Sequence, residues 1–489
     1  MPICYLIKEK KVETLFDFVQ EGMKKNRNGR GLQYQQKILS YEELSVAVLD
    51  KAKLLQEKGI TTKCKVAIIL SNPMDYILNV IAVSKLNAVI LPIYPNTGIG
   101  KIEEIITKYD INYIISSVKL GYEFVFEHER VVIYKYSSDI DETMSDIMAI
   151  LFTSGTTNTP KAIMLTRENI SSNVIAISAY LKPAIEDNIL LIKNLYHSST
   201  LIGELLVGLY NGCFVVISTQ LPVATVMLNL LEEKEINIFF AVPSLLKELI
   251  VSNEHEKYNL DKLRIVNFYG APMNATDIKR LSEVLPNVNI IYSYGQTEAS
   301  PRVTYIERKD LLIKSGSSGK TIQGVKIDII NDEKQSVKPF EKGEIVVCGP
   351  NVMKGYYRNE ERTKITLADG WLHTGDIGYL DEEGFLYVVG RKDNMVISAG
   401  KNIYIEEIEN VLNEMSGIKE VLVQVKLDEK SIARIEAFVV LSDKKLTVKE
   451  IQKYCLYKLE NYKVPRKIMV VDYLEKTNSG KIKRKNDFR

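Results

Sequence analysis

One loop of the chain concentrates groups that could bind phosphate. The stretch LFTSGTTNTPKAI, residues 151–163, overlaps the end of an apolar run at 147–152, which predicts a buried strand. The loop supplies hydroxyl groups, a glycine and a lysine, on Thr153, Ser154, Gly155, Thr156, Thr157, Thr159 and Lys161. Hydroxyls and successive backbone N–H groups can hold an anion, glycine allows close backbone approach, and lysine adds positive charge. This composition predicts a polyphosphate loop, although not a Walker A loop, since GxxxxGK[ST] is absent; an unliganded Ser/Thr-rich surface loop is the alternative.

Five other short stretches combine glycine with polar or aromatic side chains. They are Gly270-Ala-Pro272, Tyr294-Gly-Gln-Thr-Glu298, His373-Thr-Gly-Asp376, Gly390-Arg-Lys-Asp393 and Asn478-Ser-Gly-Lys481. A carboxylate can bind Mg²⁺ together with phosphates or accept hydrogen bonds from a vicinal diol, and an aromatic ring offers a flat face for stacking. Taken singly, each side chain also has a structural interpretation: Glu298 as a surface carboxylate, Tyr294 as core, Asp376 as a turn residue, Arg391 as an ion-pair partner and Lys481 as a solvated charge.

The six stretches, taken in order, resemble the motifs of the adenylate-forming (ANL) superfamily. That superfamily includes acyl-CoA synthetases, adenylation domains of peptide synthetases and firefly-type luciferases, and the resemblance covers nearly the whole chain. It implies an ATP-dependent ligase that converts a carboxylic acid into acyl-AMP, releases pyrophosphate and transfers the acyl group to CoA. Three alternatives share the motifs: a ligase that loads the phosphopantetheine of an acyl carrier protein, a luciferase-type oxygenase, and an inactive nucleotide-binding protein.

The resemblance assigns most of these residues to ATP and AMP. The 153–161 loop would hold the β- and γ-phosphates, Tyr294 would stack on adenine, and Asp376 would accept both ribose hydroxyls. Arg391 would contact ribose or phosphate. The residues implied for the nucleotide are Thr153, Ser154, Gly155, Thr156, Thr157, Lys161, Gly270, Ala271, Pro272, Tyr294, Gly295, Gln296, Thr297, Asp376 and Arg391.

The catalytic residues implied by the resemblance are Thr297, Glu298 and Lys481. Thr297 would contact the α-phosphate, Glu298 would bind Mg²⁺, and Lys481 would stabilise charge on the reacting carboxylate and α-phosphate. The small C-terminal domain would rotate about a hinge at Asp393. One orientation would present Lys481, and the other would present the thiol-side loop around Gly400 and Lys401.

Two residues mark the expected acyl pocket. His197, in NLYHSSTLIG, matches an aromatic or histidine position on the pocket wall of acyl- and aryl-CoA ligases; a purely structural histidine is the alternative. Tyr269, directly before Gly270, stands where a small residue is common, so we expect it to shorten or polarise the pocket. Its side chain could instead rotate out and line the wall. We therefore expect a compact or aryl acid rather than a long fatty chain.

The chain of 489 residues is too long for one hydrophobic core. Short β-branched runs alternate with helix-length segments, which predicts an α/β fold with largely parallel sheets. The expected architecture is a large N-terminal AMP-binding domain at 1–391, with two α/β lobes and a β lobe, and a small α+β lid at 394–489. The boundary follows a predicted turn at 390–393. Capping boxes at Ser40/Glu43 and Thr447/Glu450 predict two helix starts.

Composition excludes several other classes of protein. The chain is 46% hydrophobic and 26% charged with a net charge of +2, which gives no indication of binding to nucleic acid. Five scattered cysteines predict neither a disulfide framework nor a zinc site. No apolar run approaches the ~20 residues of a membrane span. We therefore expect a cytoplasmic protein whose partners are a small-molecule carboxylic acid, ATP, Mg²⁺ and an acceptor thiol.

Overall fold

A computed structural model describes residues 12–128, 130–153, 161–221, 223–252, 254–398, 401–427, 433–475 and 482. The strands are β1 (Arg30–Tyr34), β2 (Lys37–Ser40), β3 (Lys65–Ile69), β4 (Val89–Pro92), β5 (Tyr113–Ser116), β6 (Glu123–His128), β7 (Val131–Lys135), β8 (Ile147–Thr153), β9 (Lys161–Thr166), β10 (Asn188–Leu191), β11 (Phe214–Ile217), β12 (Ile238–Ala241), β13 (Ile265–Tyr269), β14 (Asn289–Tyr294), β15 (Thr304–Glu307), β16 (Lys320–Thr321), β17 (Lys326–Ile330), β18 (Gly343–Cys348), β19 (Gly355–Tyr356), β20 (Leu367–Ala368), β21 (Trp371–Leu380), β22 (Leu386–Arg391), β23 (Met395–Ser398), β24 (Lys401–Tyr404), β25 (Ile418–Leu427), β26 (Ala433–Leu441) and β27 (Lys467–Val470).

The helices alternate with the strands through the first three hundred residues. They are α1 (Leu15–Asn26), α2 (Tyr41–Glu57), α3 (Pro73–Lys85), α4 (Ile99–Tyr109), α5 (Arg167–Leu181), α6 (Ser198–Thr200), α7 (Val207–Asn211), α8 (Ala224–Glu233), α9 (Pro243–Ser252), α10 (Ala275–Val284), α11 (Arg308–Ile313), α12 (Glu360–Thr366), α13 (Ile405–Glu414) and α14 (Val448–Lys458). A π-helical segment, Leu201–Leu206, joins α6 to α7. Both predicted capping boxes are present, at the starts of α2 and α14.

Two sheets form the α/β lobes. The first has the order β16-β15-β14-β13-β12-β10-β11-β1-β2 and is parallel from β14 through β1. The second has the order β19-β9-β8-β4-β3-β5-β7-β6, with a parallel centre from β8 through β5. The central parallel strands are buried because helices cover their faces, as the apolar runs in the sequence predict.

The remaining sheets are smaller. β17, β18, β21, β20 and β22 pair antiparallel and form the β lobe. The C-terminal unit holds the hairpin β23–β24, the sheet β25–β26–β27, α13 and α14. Its apolar side chains form a hydrophobic cluster of their own, which includes Ile408, Val423 and Cys455. The α/β fold with a large N-terminal region and a smaller C-terminal unit is confirmed.

One local prediction needs correction. Residues 390–393 were expected to form a turn, but Gly390 and Arg391 complete strand β22, and the turn begins at Lys392. Pairing with β21 extends the strand, because Arg391 lies opposite Asp376 and Gly390 opposite Ile377.

The described cysteines are buried, and none of them forms a disulfide with another described residue; they are Cys64, Cys213, Cys348 and Cys455. Among the helices that the structure describes, none combines the length and the apolar character needed to cross a membrane.

Candidate active site

The predicted site residues gather at the carboxyl ends of neighbouring parallel strands in the first sheet. Tyr269 ends β13 and Gly270 follows it, and Tyr294 ends β14 and Gly295 follows it. A cleft of about 3470 Å³ opens at this edge and is also lined by the β lobe and by the C-terminal unit. Ligand sites in α/β sheets occur at this edge because loops from several strands converge there.

Tyr294, Asp376 and Arg391 form one connected group in the cleft. The Tyr294 hydroxyl donates to Asp376 Oδ2, and Arg391 Nη1 donates to Asp376 Oδ1 at 2.8 Å. Arg391 Nη1 also donates to the carbonyl of Thr374 at 3.1 Å. Burial raises the pKa of Asp376, and both Arg391 and Tyr294 act in the opposite direction. A fixed carboxylate with two spare lone pairs results, which suits a vicinal diol.

Two glycines shape the loops that border the cleft. Gly270 has a φ of +95°, and a Cβ there would meet open space, so the position lies against a free surface. At Gly295 a Cβ would lie 2.0 Å from the carbonyl oxygen of Pro301, so this position admits glycine alone. Ala271 and Pro272 continue the Gly270 loop and are exposed in the cleft.

The residues after Gly295 present polar groups to the same space. The Thr297 hydroxyl lies 3.0 Å from the Ser198 hydroxyl, and Glu298 Oε1 accepts from the Tyr356 hydroxyl at 3.0 Å. Gln296 Nε2 is buried and has no hydrogen-bond partner among the described residues. A buried amide donor without a partner is costly, which fits a site that a polar ligand completes.

Lys161 is the described end of the predicted phosphate loop. Thr153 in β8 lies opposite Lys161 in β9, so residues 154–160 connect two antiparallel strands; they lie outside the described residues. The Lys161 ammonium lies 5.8 Å from the centre of the Tyr356 ring, near Glu298. Burial lowers the pKa of this ammonium, and Arg362 acts in the same direction.

Both predicted acyl-pocket residues line the cleft. His197 precedes α6 and is exposed. Tyr269 is 7% exposed, and its hydroxyl accepts from Lys193 and donates to Glu204. Lys193 and Glu204 also form an ion pair at 2.7 Å. Tyr269 is therefore held in place, and it makes the wall of the cleft polar.

The predicted hinge and thiol-side residues lie in the C-terminal part of the cleft wall or just beyond it. Asp393 is exposed in a 3₁₀ turn at Lys392–Asn394, with Oδ2 at 3.7 Å from Arg391 Nη2. Lys401 starts β24, and its ammonium lies 4.4 Å from the centre of the Tyr462 ring. Gly400 and Lys481 lie outside the described residues.

Sequence reasoning missed several residues of the cleft and its walls. They are Lys193, Ser198, Glu204, Arg302 and Tyr356. Glu204 carried a signal, because a single charge within the apolar run TLIGELLVGL needs a buried partner. The others had none, since their neighbours in space come from distant parts of the chain.

The described residues could hold a metal ion only together with the phosphates of a bound substrate. Among them, no group of three or more His, Cys, Asp or Glu side chains could hold an ion by itself. Glu298 offers one carboxylate beside the predicted phosphate loop. This donor set suits Mg²⁺, which binds through one or two carboxylates and substrate phosphates rather than in an all-protein cage.

Comparison with known proteins supports the geometry. The AMP-binding enzyme family matches residues 19–357, and the AMP-binding enzyme C-terminal domain matches residues 407–481. A 2-succinylbenzoate–CoA ligase of Bacillus cereus is 30% identical, covering 97% of this chain and 98% of the relative. A feruloyl-CoA synthase of Amycolatopsis sp is 28% identical, covering 91% of this chain and 92% of the relative.

Solved structures agree over the full fold. O-succinylbenzoate Coenzyme A synthetase from Bacillus subtilis in complex with AMP superposes with a TM-score of 0.82 at 27% identity, covering 95% of this chain and 96% of that one. The same enzyme in complex with ATP and magnesium ion superposes with a TM-score of 0.81 at 26% identity, covering 95% of this chain and 98% of that one. An anthranilate CoA ligase in complex with anthranoyl-AMP superposes with a TM-score of 0.86 at 20% identity, covering 97% of this chain and 96% of that one, which shows the shared fold.

The chain belongs to the AMP-binding enzyme family of the adenylate-forming superfamily. The predicted enzyme class, an AMP-forming acid–thiol ligase, is confirmed.

Proposed function

We propose that this chain joins a compact or aromatic carboxylic acid to CoA through an acyl-AMP intermediate. The observation that supports this most is the group Tyr294–Asp376–Arg391, which offers a nucleotide-binding carboxylate in the same cleft as the polar wall at Tyr269. The relatives and structures cited above are named for CoA as acceptor, so the carrier-protein alternative finds no support among them.

The first step is adenylation. A carboxylate oxygen of the acid attacks the α-phosphorus of ATP, the bond to the β-phosphate oxygen breaks, and pyrophosphate leaves. We assign adenine to the face of Tyr294 beside Gly270, and the ribose hydroxyls to Asp376. Thr297 would donate to the α-phosphate, and the 153–161 loop with Lys161 would hold the departing phosphates.

Glu298 is the residue proposed to hold Mg²⁺. When bound, the ion neutralises charge on the phosphates. The Tyr356 hydroxyl donates to Glu298 Oε1 and so fixes the carboxylate toward the Lys161 side of the cleft. Lys481 is proposed to stabilise charge on the reacting carboxylate, as the family resemblance implies.

The second step transfers the acyl group. The thiolate of CoA attacks the acyl carbon, and AMP leaves with the electrons of the acyl–oxygen bond. We propose that the C-terminal unit, bounded near Asp393, rotates between the steps so that the loop at Gly400 and Lys401 replaces Lys481. Two observations support this rotation: the unit has its own hydrophobic core, and Asp393 is exposed in a short turn between strands.

The substrate class is proposed from the wall of the cleft. Tyr269 is fixed by Lys193 and Glu204 instead of turning aside, so polar groups close the space that a long alkyl chain would need. The acids named in the relatives, 2-succinylbenzoate and ferulate, are compact aromatic compounds and are the first candidates for this chain. A cytoplasmic location remains a prediction that fits an enzyme using ATP and CoA.

The test is pyrophosphate release from ATP and Mg²⁺ with succinylbenzoate, ferulate, benzoate, palmitate and amino acids, with and without CoA. We expect release with an aromatic acid, faster turnover when CoA is present, and formation of the acyl-CoA. Release that CoA leaves unchanged would reject CoA as acceptor. Stronger turnover of palmitate than of every aromatic acid would reject the proposed substrate class.

A further inference from the structure

A buried cluster of charged and polar side chains lies on the acyl side of the cleft, and no step of the proposed reaction uses it. It consists of Lys193, Glu204, Tyr269 and Arg302, which come from the loop after β10, the π-helical segment, the end of β13 and the segment before β15. The exposed fraction is 0% for Glu204 and 2% for Arg302. Lys193, Tyr269 and Arg302 line the cleft. The two cationic side chains of this cluster, Lys193 and Arg302, therefore border the space where we place the carboxylic acid substrate.

The Glu204 carboxylate is already balanced by Lys193. Their atoms lie 2.7 Å apart, and Tyr269 links the two through its hydroxyl. Burial raises the pKa of Glu204 and lowers that of Lys193 to about 8. Whether the proton lies on Lys193 or on Glu204, this pair contributes no net charge. The guanidinium of Arg302 then leaves the cluster with one uncompensated positive charge.

Arg302 lacks the charged partner that a buried guanidinium normally has. Its Nε and Nη2 atoms are buried without a hydrogen-bond partner among the described residues, and no carboxylate there lies within ion-pair distance. Burial lowers the pKa of Arg302, and the Tyr180 hydroxyl and the Glu204 carboxylate act in the opposite direction. Tyr180 is a neutral hydrogen-bond partner, and Glu204 is the carboxylate that Lys193 already pairs with. The guanidinium carbon stacks 3.8 Å from the centre of the Tyr269 ring, and the unused Nε and Nη2 donors lie in the guanidinium plane, with Nη2 on the side of Gly203. Burying a charge without an ion-pair partner is strongly unfavourable, so a purely structural role explains the arrangement poorly.

The backbone holds Arg302 rigidly in this position. Its carbonyl accepts from the side chains of Asn173 and Asn351 at 2.9 and 3.1 Å, and its N–H donates to Asn173 at 3.2 Å. A Cβ at Gly203 would lie 3.4 Å from the guanidinium carbon, so the helix packs closely against it. A Cβ at Gly295 would lie 3.0 Å from the Arg302 Cα, which places Arg302 directly beside the Tyr294–Glu298 segment.

We propose that Arg302, supported by Tyr269 and Lys193, is a specificity-determining subsite for a second carboxylate on the acid, at the end away from the carboxylate that is adenylated. Two parallel N–H donors match the two oxygens of a carboxylate. The ligand would supply the negative charge that the cluster lacks. This inference rests on the proposed function and narrows its substrate class to dicarboxylic acids.

The experiment compares matched pairs of acids that differ by one carboxylate. The pairs are 4-oxo-4-phenylbutanoate with 2-succinylbenzoate, and benzoate with phthalate, isophthalate and terephthalate; 4-hydroxybenzoate tests a neutral polar group. The readout is the ratio of kcat/KM for the diacid to kcat/KM for its monoacid, measured by pyrophosphate release. A ratio is informative because a general structural defect lowers both of its members.

We expect the wild type to prefer at least one diacid, and Arg302→Met to lower that ratio by about tenfold or more, the range of a hydrogen bond to a charged group. Arg302→Lys keeps the charge without the planar fork, so it should retain part of the preference. The control is Arg308→Met. Within the described part of the chain, Arg308 donates to backbone carbonyls alone, around the end of α10, so the ratio for this variant should match the wild type.

Equal or better turnover of the monoacids by the wild type would overturn the subsite, as would a preference that survives Arg302→Met or a preference for the hydroxy acid. Absence of pyrophosphate release with every acid would reject the proposed function instead. Calorimetric titration of 2-succinylbenzoate into the full chain with AMP then decides the subsite by itself: binding lost in Arg302→Met supports it, and binding that is absent or unchanged overturns it. If Arg302→Met fails to fold, the ratio of kcat/KM for diacid and monoacid is compared between the wild type and the variants Arg302→Lys and Lys193→Met.

Discussion

The hydroxyl of Tyr294 is expected to set the affinity for ATP by way of Asp376. Tyr294→Phe keeps the ring that would stack on adenine but removes the donor to Asp376 Oδ2. Arg391 is then the remaining side-chain donor to this carboxylate among the described residues. A hydrogen bond to a charged group contributes about 1.5–3 kcal/mol. We therefore expect kcat/KM for ATP to fall about ten- to a hundredfold.

Tyr294→Phe should also change the pH dependence of ATP use, and the direction of this change follows from the pKa of Asp376. The Tyr294 hydroxyl stabilises the ionised form of Asp376, so it holds the pKa of that carboxyl below the value that burial alone would impose. Without the donor, the pKa of Asp376 rises further. If ribose binding needs the carboxylate, the acid limb of kcat/KM for ATP must move to higher pH. A higher pKa of Asp376 in the folded variant means that the variant loses stability relative to the wild type as pH rises through this pKa. The difference in Tm between wild type and Tyr294→Phe should therefore be larger in mildly alkaline than in acidic buffer.

The control is Tyr41→Phe, which removes a buried hydroxyl that donates to the Cys213 carbonyl at 2.7 Å, in the core and away from the cleft. It should lower stability by about 1 kcal/mol and leave the KM for ATP unchanged. The reasoning about Tyr294 is refuted if Tyr294→Phe keeps both the wild-type KM for ATP and the wild-type acid limb.

Three further results are expected. Lys481→Ala should abolish acid-dependent pyrophosphate release but spare thioester formation from supplied acyl-AMP; equal loss in both half-reactions, followed by HPLC, would reject its assignment. Gly295→Ala should lower Tm and nearly eliminate adenylation, because the new Cβ meets the Pro301 carbonyl at 2.0 Å, whereas Gly100→Ala, with open space around it, should not; wild-type activity for Gly295→Ala would contradict the geometry. Thr447→Ala removes the cap of α14 and should cost about 1 kcal/mol in urea unfolding. A change in the KM for ATP in this last variant would show that α14 reaches the nucleotide.

Local sequence was sufficient for the elements whose signals are local. The capping boxes at Ser40 and Thr447 were predictable because each joins a side chain to a backbone group only three residues away. The apolar runs that became β3, β4, β11 and β12 were predictable because strands buried on both faces carry apolar residues throughout. The order of the glycine and hydroxyl motifs was sufficient for the family, and hence for the large domain and the small one.

The tertiary structure alone decided which side chains meet. Tyr294 and Asp376 are 82 positions apart, and Tyr269 and Glu204 are 65 apart, so no local pattern joins them. The order of strands in the first sheet brings β10, β13 and β14 to one edge, and that order follows from packing of whole helices and sheets. The sequence could show that Glu204 needs a buried partner, because an isolated carboxylate in an apolar helix is too costly. It could not show that Lys193 would satisfy that need and leave Arg302 without a counter-charge, because burial and distance, which fix the energy of each charge, exist only in the folded chain.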